Sequence, residues 1–243
     1  MTELMRLVQV SQNYSGFIAL HPLDLTICQG QCLGIVGESG CGKSTLARMM
    51  ALIDLPATGQ VIFKGEPADI VRHRQEIQYV FQDPVSAFPP RMKIKRFLEE
   101  PFINFRLCKK KAISIEIQKL LGKTGLDASV LERYPHQLSG GQLQRIVIAR
   151  ALATHPQLMI CDEITSALDV IVQNEIMDLL KKLQEEEDLT LIFISHDLSI
   201  VSHFCDEILV MDQGYPIEYL KANELFKAKH PAARRLLDAL ITI

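Results

Sequence analysis

Two groups of residues have the types and spacing to do chemistry. The run Gly37-Glu38-Ser39-Gly40-Cys41-Gly42-Lys43-Ser44-Thr45 follows the pattern G-x-x-x-x-G-K-[ST] and stands between an apolar, strand-like run and a helical one. Glycines at this spacing let the backbone curl until successive N–H groups face one anion, and the first turn of the following helix adds its positive dipole end. Such a loop suits the phosphates of a nucleotide, with Lys43 reaching the β- and γ-phosphates and Ser44 ligating Mg²⁺. The second group is Asp162-Glu163, which ends the apolar run Leu158-Met159-Ile160-Cys161. A triphosphate site needs a carboxylate for its metal shell, and Asp162 fits that role. Glu163, one residue on, leaves the strand end in another direction and suits accepting a proton from, or orienting, an attacking water.

Strands and helices in alternation are needed to hold these groups. Residues 4–10, 23–28 and 31–36 read as strands, the last feeding directly into the glycine-rich turn. Residues 43–53 read as a helix that stops before Pro56, and 59–65 and 77–81 as further short strands. From 83 to 156 the pattern becomes helical, with its clearest helices at 112–121 and 141–153. Strand signals return at 158–161, 191–194 and 207–211, separated by helical stretches at 170–187 and 198–204. This order predicts an α/β fold with a mostly parallel sheet covered on both faces and an N-terminal antiparallel portion. The expected organisation is one domain, with 1–82 and 157–225 as a nucleotide-binding core and 83–156 as an inserted helical subdomain. Residues 226–243 form a short tail in which 230–243 read as a helix with Arg234 and Arg235 on its polar side.

With 243 residues, 48% of them hydrophobic and 23% charged, the chain can bury a substantial core. Its longest apolar runs fall far short of the roughly 20 residues that span a bilayer, and the N-terminus lacks the pattern of a signal peptide. A formal charge of −3 gives no reason to expect a nucleic acid partner, and Lys109-Lys110-Lys111 reads as a solvated helix start. Six cysteines at 28, 32, 41, 108, 161 and 205 show no C-x-x-C spacing and read as reduced thiols, with Cys28 and Cys32 turned inward around a turn at 29–31.

Leu138-Ser139-Gly140-Gly141-Gln142 is the further motif that narrows the class, because it reproduces the LSGGQ signature of ABC ATPases. Gln82 in Tyr79-Val80-Phe81-Gln82 resembles that family's Q-loop, Ser166-Ala167-Leu168-Asp169 its D-loop, and His196 its switch histidine. The resemblance covers nearly the whole chain and implies a P-loop NTPase fold of the ABC ATPase type, with ATP and Mg²⁺ as cofactors. It also implies that Ser139, Gly140, Gly141 and Gln142 of one subunit, with Asp169, approach ATP held on residues 37–45 of a second. Gln82 would sense Mg²⁺ or the attacking water and His196 would contact the γ-phosphate. Tyr14 resembles the aromatic that stacks on adenine, with Phe17, or core packing of Tyr14, as alternatives.

A narrower similarity, carried by 37–45, 80–91 and 134–145, is to the oligopeptide, dipeptide and nickel importer group. Ile164 and Cys161 depart from the residues usual in the family, but neither change touches a reacting group. The resemblance implies an ATPase at the cytoplasmic face of a membrane, peripheral, driving two transmembrane permease subunits and served indirectly by an external substrate-binding protein. It favours a related second ATP-binding subunit over a second copy of this chain, and both stay open. The alternative is a soluble, non-transport ABC ATPase, against which stand the single nucleotide unit and the lack of a long heptad arm or a basic face.

Overall fold

In the computed structural model, which describes residues 2–241, the chain opens on a long hairpin of β1 (Glu3–Tyr14) and β2 (Phe17–Cys28). Ser15 and Gly16 between them both take positive φ, 52° and 93°, as a two-residue I′ turn requires. Alternation in the sequence marks only 4–10 and 23–28, because the tip, SQNYSGFIALHP, carries no alternating apolar face. It becomes strand through cross-strand pairing from Tyr14↔Phe17 onward.

The remaining elements follow in order: β3 (Cys32–Val36), α1 (Lys43–Met50), β4 (Thr58–Phe63), β5 (Glu66–Pro67), α2 (Ile70–His73), β6 (Ile77–Val80), α3 (Ile94–Asn104), α4 (Ile113–Lys123) and α5 (Gly140–Leu152). Then come β7 (Leu158–Asp162), α6 (Val170–Glu187), β8 (Thr190–Ile194), α7 (Leu198–Phe204), β9 (Glu207–Asp212), β10 (Tyr215–Lys221) and α8 (Pro231–Ile241). An antiparallel sheet runs β2-β1-β4-β5, and a second runs β10-β9-β3-β8-β7-β6, parallel except for β10. The expected α/β class and its antiparallel N-terminal portion are both present.

Beyond the hairpin, two elements differ from the sequence reading. The helix expected over 43–53 ends at Met50, because the N–H groups of Ile53 and Asp54 both turn back to the carbonyl of Arg48 and close its C-terminus. β10 was not anticipated, since YPIEYLK is half-exposed and lacks a dry face; it forms because the Gln213-Gly214 turn folds it back onto β9. The final helix keeps Arg234 and Arg235 exposed as expected, while Thr242 and Ile243 of that expected helix lie outside the described residues.

β3, β7 and β8 are buried along their whole length and split the core in two. Leu33, Ile35, Leu158, Ile160, Ile192 and Ile194 pack on the side of α1 and the N-terminal sheet. Cys32, Val36, Met159, Cys161, Leu191 and Phe193 pack on the other side, with α3 to α7. This is the period-two alternation of a strand covered on both faces. Cys32 is buried but Cys28 only half so, and the close thiol pair is Cys32 with Cys205, Sγ to Sγ 3.5 Å. All six cysteines are free, and burial pushes the Cys32 and Cys161 thiols well above the ordinary range. Among the described residues no helix is long and apolar enough to cross a membrane.

Candidate functional site

β3 carries the chain into the glycine-rich loop at the carboxyl end of the parallel sheet, where the crevice of an open α/β sheet lies. The loop is braced from outside: the Gly214 N–H donates to the Cys41 carbonyl (3.0 Å), and the His21 N–H donates to the Gly214 carbonyl (2.9 Å). Gly42 starts α1 at φ 104°, and a Cβ there would lie 2.5 Å from the Ala19 carbonyl oxygen, so only glycine fits. Lys43 is buried, its Nζ donating to the carbonyls of Gly37 (2.8 Å) and Glu38 (2.9 Å) inside the curl of the loop. Cys41 beside it is also buried, which pushes its thiol up; Lys43 opposes that shift. Glu38, Ser39, Gly40 and Ser44 are exposed at the mouth and Thr45 is half-buried.

Continuing the alternation of β7, Asp162 takes the face of Ile160, the side on which α1 packs. Its Oδ2 accepts a 2.5 Å hydrogen bond from Tyr79 on β6, whereas its Oδ1 is buried and has no partner. A buried carboxylate oxygen left unpaired is costly unless a ligand completes it. Together with the exposed hydroxyl of Ser44 at the start of α1, it gives the hard oxygen donors that a magnesium ion takes. The residues present therefore fit Mg²⁺.

Glu163 breaks the strand: its φ of 49° is left-handed, and its N–H donates to the Ile194 carbonyl at 3.0 Å. A side-chain-bearing residue holds that conformation at a cost of roughly 1–3 kcal/mol, which the surrounding structure must offset. The turn swings the carboxylate off the face of Asp162 and toward the loops. There Glu163 Oε2 accepts from Gln82 Nε2 at 3.1 Å, and His196 Nδ1 stands 3.8 Å away. Ser166, a D-loop residue given no separate role by sequence, accepts from Gln82 Nε2 (3.4 Å) and donates to the Glu163 carbonyl (2.9 Å). The fold thus gathers residues from three separate stretches of sequence: Gln82, Glu163 and Ser166 form one hydrogen-bonded group, and His196 stands beside it. Such a group can hold a water and take its proton.

Tyr14 stands at the end of β1, half-exposed, opposite the more exposed Phe17. Its hydroxyl donates to Asp54 Oδ2 (3.3 Å), and Arg48 of α1 grips the same carboxylate at 2.7 and 3.0 Å. The hairpin tip is thereby tied to the helix of the phosphate loop. The Arg48 guanidinium also holds the Asp54 carboxyl below the usual carboxylate range.

The signature residues are not drawn into this group. Ser139 caps α5, its Oγ accepting from the Gln142 N–H (3.3 Å) while Gln142 Oε1 accepts from the Ser139 N–H (3.1 Å). Asp169 caps α6 through the N–H groups of Ile171 and Val172. Ser139 and Gly140 face solvent, and α5 packs chiefly on α3, α4, α6 and β6, whereas α1 packs on β2 and β7. Gly141 is buried against α6, where a Cβ would fall 2.5 Å from Val172 Cγ1. Gly141→Ala is expected to destabilise the chain by about 1–3 kcal/mol in urea unfolding. A second change, Val172→Ala, should restore most of that loss. Gly140→Ala, whose Cβ would meet Leu168 only at 3.4 Å, should leave stability near the parent value.

Sequence alone missed Tyr79 and the joining role of Ser166. Both stand inside recognised motifs, but their effect depends on strand register and on loop closure, which leave no mark in residue type.

A phosphate-cradling loop, an acid pair at the end of the neighbouring strand but one, and a separately presented signature define an ATP-binding cassette. The profile of the ABC transporter family matches residues 20–166, and the chain belongs to that family as its ATP-binding, ATP-hydrolysing component. Among curated relatives, it is 41% identical to the oligopeptide transport ATP-binding protein AppF of Bacillus subtilis, over 91% of this chain and 70% of that one. It is 40% identical to the nickel import ATP-binding protein NikE of Escherichia coli, over 91% of this chain and 85% of that one. The structure of CbiO1 from Clostridium perfringens, part of the transporter complex cbiONQ, superposes with TM-score 0.86 at 31% identity, covering 93% and 92% of the two chains. The cassette MJ0796, a dimer bound to ADP and Pi after hydrolysis, superposes with TM-score 0.80 at 30% identity, covering 90% and 99%.

Proposed function

We propose that this chain energises an importer of peptides, nickel or a metal–chelate complex, working at the cytoplasmic face of the membrane beneath two permease subunits. An external binding protein supplies the cargo. The separation of sites carries the need for a partner: the Gln82–Glu163–His196 group and the signature occupy different parts of one chain, so a complete ATP site takes its signature from a second ATP-binding subunit. The narrower substrate class follows from the likeness to AppF and NikE, which extends over 91% of this chain. That likeness favours a related second subunit over a second copy.

In this reading the N–H groups of residues 37–45 and the Lys43 ammonium bind the β- and γ-phosphates, and Tyr14, or Phe17 across the hairpin, stacks on the adenine. Ser44, Asp162 and Gln82 hold Mg²⁺, which neutralises charge on the transferred phosphoryl group when bound. Glu163 orients the attacking water and takes its proton, and His196 turns to the γ-phosphate. The N-terminus of α5 at Ser139, Gly140, Gly141 and Gln142, with Asp169 nearby, closes over the nucleotide of the opposite subunit and presents backbone donors to the phosphate. Residues 83–156 act as a subdomain that receives a cytoplasmic helix of the permease, while 1–82 and 157–225 form the nucleotide core and 226–243 a tail.

The test is to tag the Glu163→Gln chain, hold it with Mg-ATP, and identify what co-purifies from gently solubilised native membranes by mass spectrometry. Recovery of two multi-span proteins and a second ATPase is the expected result. Recovery only from the soluble fraction, with ribosomes or assembly factors, would overturn the transporter reading and leave the ATPase chemistry standing.

A further inference from the structure

Asp162 is more than nine-tenths buried, yet its carboxylate makes a hydrogen bond through one oxygen only. That bond comes from Tyr79, which lies one strand away on β6. In the parallel register Tyr79 pairs with Ile160, two residues before Asp162 and on the same face of the sheet, so the phenol is set beside the carboxylate by strand geometry. The ring is held in turn by a tilted contact with Phe81 (centroids 4.6 Å apart) and by packing against the core under α1. A carboxylate at the end of a strand can rotate about its last torsion, which is a broad, two-fold well. Without a donor on one side, either oxygen could turn toward the phosphate loop or away from it.

We infer that Tyr79 is a positioning residue for the metal site: its hydroxyl fixes Asp162 Oδ2 and leaves the buried, unpartnered Oδ1 as the oxygen presented to Mg²⁺ or its water shell. The inference rests on the reading of Asp162 as a metal-holding residue. Groups that hydrogen-bond metal ligands raise metal affinity by fixing ligand orientation, and their loss typically weakens it about 10- to 100-fold. A phenylalanine at this position keeps the ring, the core packing and the strand, and removes only the hydroxyl.

The test compares Tyr79→Phe, Asp162→Asn and the parent chain, each loaded with ADP, by titration with Mn²⁺ and detection of free Mn²⁺ by electron paramagnetic resonance. Tyr79→Phe is expected to weaken Mn²⁺ binding about tenfold. ADP affinity measured in EDTA should stay within twofold of the parent, a split that a general loss of packing would not produce. If Tyr79→Phe binds Mn²⁺ as the parent does while Asp162→Asn loses it, the positioning role is wrong and the metal role of Asp162 stands. If Asp162→Asn also binds Mn²⁺ as the parent does, the reading of Asp162 itself fails. A fall in metal-free ADP affinity that matches the fall in Mn²⁺ affinity would equally overturn the inference, since the phenol would then be supporting the whole loop.

Discussion

Glu163→Gln is expected to slow ATP hydrolysis by about 10²- to 10⁴-fold while ATP affinity stays within a few-fold of the parent. The amide has nearly the shape of the carboxylate, so Gln82 Nε2 still finds an oxygen at this position and the left-handed turn at residue 163 is undisturbed. What is lost is the ability to take a proton from water. The consequence differs from that of a binding defect: in the proposed assembly the variant, mixed with its second ATP-binding subunit, should accumulate as an ATP-bound dimer, the signature of the partner staying engaged with unhydrolysed ATP on this chain. Single-turnover hydrolysis, equilibrium ATP binding and size-exclusion chromatography with Mg-ATP check the three parts of this expectation. Hydrolysis within twofold of the parent rate would assign the proton acceptor elsewhere, with His196, 3.8 Å from the Glu163 carboxylate, as the next group to replace.

Lys43→Ala should act at the other end of the cycle and lower ATP affinity itself. The lost group makes charge-assisted hydrogen bonds, each about 1.5–3 kcal/mol, so affinity should fall about 10- to 100-fold or more. The same ammonium ties the carbonyls of Gly37 and Glu38 together, so the variant also loosens the loop that must present its N–H groups to phosphate. Thermal unfolding without nucleotide separates the two effects. A small drop in midpoint with a large loss of ATP affinity is expected, and no stabilisation by added ATP. Lys43→Ala binding ATP as tightly as the parent, with the fold intact, would exclude Lys43 from phosphate binding.

Much of this was legible in the sequence because the chemistry is local. A loop that cradles phosphate is built from consecutive residues, so 37–45 declare it by glycine spacing and a lysine. Capping of α5 by Ser139 and Gln142, and of α6 by Asp169, likewise depends on neighbours within a single turn. Strands buried on both faces, such as β3, β7 and β8, carry nearly continuous apolar runs and mark themselves. Edge and hairpin segments do not: residues 11–22 and β10 are polar enough to read as loop and become strand only because a neighbour supplies hydrogen bonds.

The motifs, their order and the family were therefore fixed by residue type at short range. What tertiary structure alone decided was which side chains meet. Sequence places Gln82, the Glu163–Ser166 stretch and His196 far apart along the chain and says nothing of their distances; strand register and the left-handed turn at Glu163 bring them to within 4 Å of one another or of a shared partner. The same register sets Tyr79 on Asp162, a contact between residues on neighbouring strands that have no relation in sequence. Alternation can tell which face of a strand a residue takes, but only the pairing of one strand with the next tells what waits for it there.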